Sequence, residues 1–80
     1  MLSELKNGRK VVGAKQSRKA VTAGSAAAVY LAADADPGLT GPLRTLAEEH
    51  QVPVIDVSGM RSLGDACGIS VGAAVAVLLR

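Results

Sequence analysis

Ala28-Val29-Tyr30-Leu31-Ala32-Ala33, followed at once by Asp34-Ala35-Asp36-Pro37-Gly38, is the stretch that decides the fold. The first six residues are a continuous apolar run, too short for a buried helix and without the alternation of a half-exposed strand. A strand covered on both faces has that pattern. The next five residues are turn formers that stop it abruptly. The central element is therefore a strand that needs helices above and below it.

Outward from this strand, periodicity alternates between helix and strand. Upstream, Leu2 to Lys6 forms a short helix signal with Leu2 and Leu5 at i, i+3, and Lys10 to Val12 is a short strand between Gly8 and Gly13. Gly13-Ala14-Lys15-Gln16-Ser17-Arg18-Lys19-Ala20-Val21-Thr22-Ala23-Gly24 reads as a helix with glycine at each end, Ala14, Ser17, Ala20 and Val21 facing inward. Downstream, Thr40-Gly41-Pro42 opens a helix with Pro42 in its first turn, Leu43, Leu46 and Ala47 inward, Glu48 and Glu49 in solvent, and His50 in the last turn. Val52 to Val57 is a second apolar strand, with Pro53 marking an edge or a strand start. Ser58 is placed to cap a helix from Gly59 to Cys67 with Met60, Leu63 and Cys67 inward. Gly68 ends it, 69–72 is a loop, and Ala73 to Leu79 is the last strand. This order predicts an α/β sandwich, a small mixed four-stranded sheet with helices on both faces, built as a single domain over 1–80.

Composition narrows the function. Cys67 is the one cysteine of 80 residues, which excludes a disulfide framework and a cysteine-rich zinc site and suits a reducing, cytoplasmic setting. The N-terminus lacks the pattern of a signal peptide. Val71 to Leu79, the longest run without charged or strongly polar side chains, is too short to span a bilayer, so no membrane association is expected. Charge is polarised: residues 1–24 carry Lys6, Arg9, Lys10, Lys15, Arg18 and Lys19 against Glu4 alone, whereas the rest of the chain is net acidic. A basic end on a chain of net charge +2 points to an anionic partner. Tyr30 is the sole aromatic, so an RNA-binding mode built on base stacking is excluded.

Two stretches carry candidate chemistry. In the first, Lys15, Arg18 and Lys19 stand at i, i+3 and i+4 and share a helix face behind Gly13. A helix start offers unpaired N–H groups and a positive dipole end, and glycine lets a phosphate backbone come close. The alternative is a solvated basic face. In the second, Leu63-Gly64-Asp65-Ala66-Cys67-Gly68-Ile69-Ser70-Val71-Gly72-Ala73-Ala74, a helix ends at glycine and the loop then carries Ile69 and Val71. These two belong either to the core or to an apolar surface that takes an unstacked base. Asp34 and Asp36 end a strand, where turn formation and helix capping are the plainer reading, and no earlier acidic residue completes a magnesium site. Neither a dinucleotide fingerprint nor a phosphate-loop motif occurs, and no metal-ligand cluster or convergent catalytic set is present. A non-enzymatic protein without cofactor or metal is expected.

Gly13-Ala14-Lys15-Gln16 with Lys19 and Gly24, then Ala33-Asp34-Ala35-Asp36-Pro37, then Leu63-Gly64 with Ala66-Cys67-Gly68-Ile69 and the small-residue strand after it, resemble the kink-turn-binding ribosomal protein family, in particular its small bacterial branch of the YbxF and YlxQ type. The resemblance runs from about Leu5 to Leu79. It implies a three-layer α-β-α sandwich and recognition of a kink-turn, a sharply bent RNA in which a bulge adjoins tandem sheared G·A pairs. It implies that Gly13, Lys15, Gln16 and Lys19 lie on that motif, and Ala14, Arg18 and Asp34 are expected as further RNA-binding residues. Ile69, Ser70, Val71, Gly72 and Ala73 would form the loop over the bulge. Archaeal members usually carry Asn-Glu where this chain has Lys15-Gln16. Gln16 keeps an acceptor oxygen and adds two donors, while Lys15 donates only. The expected partner is ribosomal or other structured RNA bound by a monomer. The alternatives are an RNA-associated accessory module that needs no kink-turn, and a protein-interaction or small-ligand module whose basic end is only solvated.

Overall fold

The structure is a computed structural model that describes residues 2–80, with side chains from Leu5 onward, so the expected inward position of Leu2 lies outside the described side chains. Its elements are α1 (Leu2–Asn7), β1 (Lys10–Val12), α2 (Ala14–Thr22), β2 (Ala26–Ala32), α3 (Pro37–Glu49), β3 (Val54–Val57), α4 (Met60–Cys67) and β4 (Val75–Leu79). The sheet order is β1-β4-β2-β3. β4 runs antiparallel to both β1 and β2, while β2 and β3 are parallel and joined by α3. β1, β2 and β3 therefore all end where β4 begins.

The alternation of side chains along β2 and β4 separates two cores. Ala28, Tyr30, Ala32 and Ala76 face Leu5 of α1 and Leu63 and Cys67 of α4. Val29, Leu31, Val75 and Val77 face Ala20 and Val21 of α2 and Leu43 and Ala47 of α3. Both faces of β2 are buried, as its apolar run predicts: Val29 is 0% exposed and Tyr30 1%. Each large side chain removed from water in this way contributes about 1.5–3 kcal/mol. The result is the three-layer α-β-α sandwich with a mixed sheet. Pro53 precedes β3 on the sheet edge, where its missing N–H costs no ladder bond.

Several boundaries differ from the sequence reading. α3 starts at Pro37 and runs through Gly41-Pro42. Asp36 caps it, accepting the Gly38 N–H at 2.9 Å, and Pro37 occupies the first helical position. A proline in helical context crowds the Cβ of the residue before it, and Gly41 has none. The strands are also offset. β2 begins at Ala26 and ends at Ala32, with a register shift between Ala26 and Ala28 against β4. β3 begins at Val54, and β4 at Val75. Met60, expected inward, is 37% exposed: its backbone is bonded to Asp34 and to Ala73, in the segments just after β2 and just before β4, rather than its side chain packing in the α1–α4 core. Ser58 does not cap α4; its hydroxyl lies 3.4 Å from that of Ser62.

Outside the site, Arg44 of α3 pairs with Asp56 of β3 through both guanidinium nitrogens, and that hydrogen-bonded pairing raises the arginine above its ordinary range. No described helix is long and apolar enough to cross a membrane. Among the described residues no three His, Cys, Asp or Glu side chains gather where they could hold a metal ion.

Candidate nucleic-acid interface

α2, α3 and α4 follow β1, β2 and β3, so all three helices begin at one end of the sheet. Two of these starts carry a carboxylate. Asp36 Oδ1 accepts from Gly38 N over α3, and Asp34 Oδ1 accepts the Met60 N–H of α4 at 2.8 Å. Both aspartates thus act as caps, with their charge placed at a positive dipole end.

The start of α2 is different. Its N-cap is Gly13, and among the described residues no carboxylate accepts from its first N–H groups as Asp36 and Asp34 do at α3 and α4. Gly13 sits at φ +100°, ψ 156°, a region that L side chains rarely adopt, and a Cβ built there meets nothing within 4 Å. The backbone is thus both conformationally reserved for glycine and open to approach. Helix geometry leaves the N–H groups of Ala14, Lys15 and Gln16 without intrahelical partners, since the Gly13 carbonyl takes its first bond from Ser17 N at 3.0 Å. Lys15, Gln16, Arg18 and Lys19 are exposed, while Ser17, Ala20 and Val21 are buried and Ala14 is half-buried against the core. The inward and outward faces are those the spacing predicts.

The loop 69–74 lies beside this helix start. The Gly13 N–H donates to the Val75 carbonyl at 3.0 Å, and the Ala32 N–H to the Ala74 carbonyl at 2.9 Å, so the loop enters the sheet between the ends of β1 and β2. Its residues divide. Val71 is 68% exposed, and Ser70 and Gly72 are exposed too. Ile69 is half-buried against the α1–α4 core, and Ala73 is 4% exposed with its N–H bonded to Met60 O at 2.9 Å. Ala73 anchors the loop, leaving Ser70, Val71 and Gly72 as the part that projects.

Two features at this end are missing from the sequence reading. Met60 lies directly under the loop: a Cβ on Gly72 would meet Met60 Cβ at 3.2 Å. Met60 and Val71 are the exposed large apolar side chains of the described surface, and both belong to this end. The second is Gly64, whose missing Cβ leaves room for the loop backbone. A Cβ there would fall 2.1 Å from the Val71 carbonyl oxygen. A helical glycine beside an expected loop is the one sequence signal that points to such an approach. The end of the sheet thus joins an uncapped, lysine-bearing helix start to an apolar, backbone-anchored loop.

The sequence matches the ribosomal protein L7Ae/L30e/S12e/Gadd45 family over residues 2–80. It is 43% identical over 76 residues to an RNA-binding protein of Geobacillus sp. strain WCH70, covering 95% of this chain and 93% of that one. It is 42% identical over 76 residues to the RNA-binding protein YbxF of Geobacillus stearothermophilus, with the same coverage. Among solved structures, the Giardia lamblia 15.5kD RNA binding protein superposes with a TM-score of 0.92 at 33% identity, covering 99% of this chain and 70% of that one. The chain belongs to the ribosomal protein L7Ae/L30e/S12e/Gadd45 family, and within it resembles the small bacterial proteins of the YbxF type.

Proposed function

We propose that this protein binds RNA, and that its specific target is a kink-turn held against the start of α2 and the 69–73 loop. The observation that carries the proposal is the asymmetry among the three helix starts at one end of the sheet. Asp34 and Asp36 occupy two of them, and the third is left open behind Gly13 and flanked by exposed Lys15, Gln16 and Lys19. An open helix start of this kind suits phosphate oxygens, and a side-chain amide in its first turn suits base edges. Arg18 and Lys19 extend the positive face along the helix. The exposed Val71 offers an apolar contact to a base displaced from its stack, in a chain with no exposed aromatic for stacking. The names of the relatives agree with an RNA partner. In this reading the protein is a non-catalytic, cytoplasmic monomer.

Titration against a kink-turn RNA and against the same RNA with its G·A pairs replaced by Watson–Crick pairs, at two salt concentrations, tests the reading. A preference for the kink-turn that persists at both salts is the expected result, with affinity for either RNA falling steeply as salt rises. Equal affinity for the two RNAs would eliminate kink-turn recognition. A salt-independent interaction would eliminate the phosphate contacts.

A further inference from the structure

We propose that Asp34 is a positioning residue for the 69–73 loop, acting on RNA binding through α4 rather than by touching RNA; the proposal rests on the RNA-binding reading above. The backbone of Met60 is held on both sides, by a side-chain carboxylate and by a backbone N–H. Its N–H donates to Asp34 Oδ1 at 2.8 Å, and its carbonyl accepts the Ala73 N–H at 2.9 Å. One residue therefore links a carboxylate at the end of β2 to the anchor of the loop.

The surroundings make this link stiff. Ala32 N–H donates to Ala74 O at 2.9 Å and Ala33 N–H to Val57 O at 2.8 Å, so the chain leading into Asp34 is fixed to both neighbouring strands. Asp34 also lies against Gly59, where a Cβ would meet its Oδ2 at 3.3 Å. On the far side, the loop backbone is seated directly on α4, the Val71 carbonyl over Gly64 and Gly72 over Met60. With Asp34 removed, the first N–H of α4 loses its acceptor and the helix start loses the negative charge that complements its dipole. The first turn of α4 then loosens, and Ala73, bonded to that turn, loosens with it.

A charge argument opposes this one in sign, which makes the proposal decidable. Asp34 is an exposed carboxylate at the end of the molecule that faces RNA. If it acted through its charge alone, removing it would relieve repulsion from phosphates and strengthen every RNA complex. As a positioning residue, its removal weakens the kink-turn complex while leaving the number of phosphate contacts, and so the salt slope, unchanged.

The test compares wild type, Asp34→Ala and Asp34→Asn by titration with a kink-turn RNA and a straight duplex at two salt concentrations, and by hydrogen exchange of the Ala73 amide. Asp34→Ala is expected to bind the kink-turn about tenfold more weakly with an unchanged salt slope, and to exchange the Ala73 amide about tenfold faster, the scale of a lost helix cap. Asp34→Asn, which keeps an acceptor oxygen, is expected to recover most of both losses. If Asp34→Ala does not fold, Asp34→Ser, with a shorter acceptor, takes its place and shows the same losses to a smaller degree. Wild-type or tighter kink-turn binding by the alanine variant, or an unchanged Ala73 exchange rate, overturns the proposal. A wild-type protein that fails to distinguish the kink-turn from the duplex defeats the RNA reading instead, and the Ala73 exchange rates then decide separately whether Asp34 holds the loop.

Discussion

Gly64→Ala puts the contact between α4 and the loop to the test. The new Cβ would lie 2.1 Å from the Val71 carbonyl oxygen and 3.1 Å from Gly72 Cα, both backbone atoms. Reaching ordinary van der Waals distance from the oxygen requires a displacement of roughly 1.3 Å. No side chain can rotate away, so the loop must move off the helix or α4 must move off the sheet, where Leu63 and Cys67 are packed. Forced repacking of this kind costs about 1–3 kcal/mol. Distorting the Ala73–Met60 hydrogen bond adds up to about 1 kcal/mol. Against this, alanine gains about 1 kcal/mol over glycine inside a helix. The net expectation is a loss of about 2 kcal/mol, which for a domain of this size lowers the midpoint by about 10 °C. Urea denaturation followed by circular dichroism measures it, with Gly38→Ala as control. That position is also helical, but a Cβ there meets only the Asp36 carboxylate, no nearer than 3.4 Å, so stability should be unchanged or raised by up to about 1 kcal/mol. A Gly64→Ala protein as stable as wild type, with the same denaturant slope, would refute the reasoning.

Further outcomes are expected at the α2 face and in the core. Lys19→Ala should weaken RNA binding and lower the salt slope by about one unit, as for one lost phosphate contact; an unchanged slope removes Lys19 from the interface. Gln16→Ala should cost about 1–3 kcal/mol on a kink-turn and much less on a plain duplex. Gln16→Glu is tolerated if the amide oxygen is the group used and harmful if the amide N–H₂ donates, so the two titrations assign the contact. Ser17 is fully buried and its hydroxyl has no hydrogen-bond partner among the described residues, so Ser17→Ala should leave stability unchanged or raise it by about 1 kcal/mol in a denaturant titration, where a clear loss would contradict this. Burial pushes the Cys67 thiol above its ordinary value of 9.0, with Lys10 partly opposing the rise. The unfolded chain then loses this proton first as pH rises, so the thiol's contribution is complete below about pH 9 and is lost as pH climbs toward the folded value. The difference in stability between wild type and Cys67→Ala should be constant below that pH and shrink above it, and a constant difference across the range would contradict the burial argument.

The elements that sequence reveals best are those set by side-chain character along one segment. β2 is visible because both of its faces need cover, and the outward set Lys15, Gln16, Arg18 and Lys19 follows from helical spacing alone. The start of α3 is hidden because Gly41-Pro42 looks like a boundary, whereas Asp36 and Pro37 already supply a cap and a first turn. Met60 is misplaced by periodicity because a stripe at i, i+3, i+7 does not say how many of its members the core reaches, and here it takes Leu63 and Cys67 alone. The cap on α4 comes from Asp34, 26 positions earlier, and only the parallel pairing of β2 with β3 brings the two together. The seat of the loop on Gly64 is likewise a tertiary fact, since a helical glycine beside an expected loop signals a close approach without saying which backbone makes it.

The central position of β4 has a consequence for how the chain reaches this fold. β1 is joined to the rest of the sheet through β4 alone, and their pairing of Lys10 with Leu78 spans most of the sequence. β2, α3 and β3 form a contiguous parallel unit whose contacts are near in sequence. α2, made earlier, packs on β2 and α3, but β1 and the Gly13 N–H at the entry to α2 have no strand to bond until β4 is in place. The Gly13 entry to α2, made well before β4, is thus fixed by a pairing distant in sequence, so this end of the sheet should be completed at a late, loop-closing step of folding.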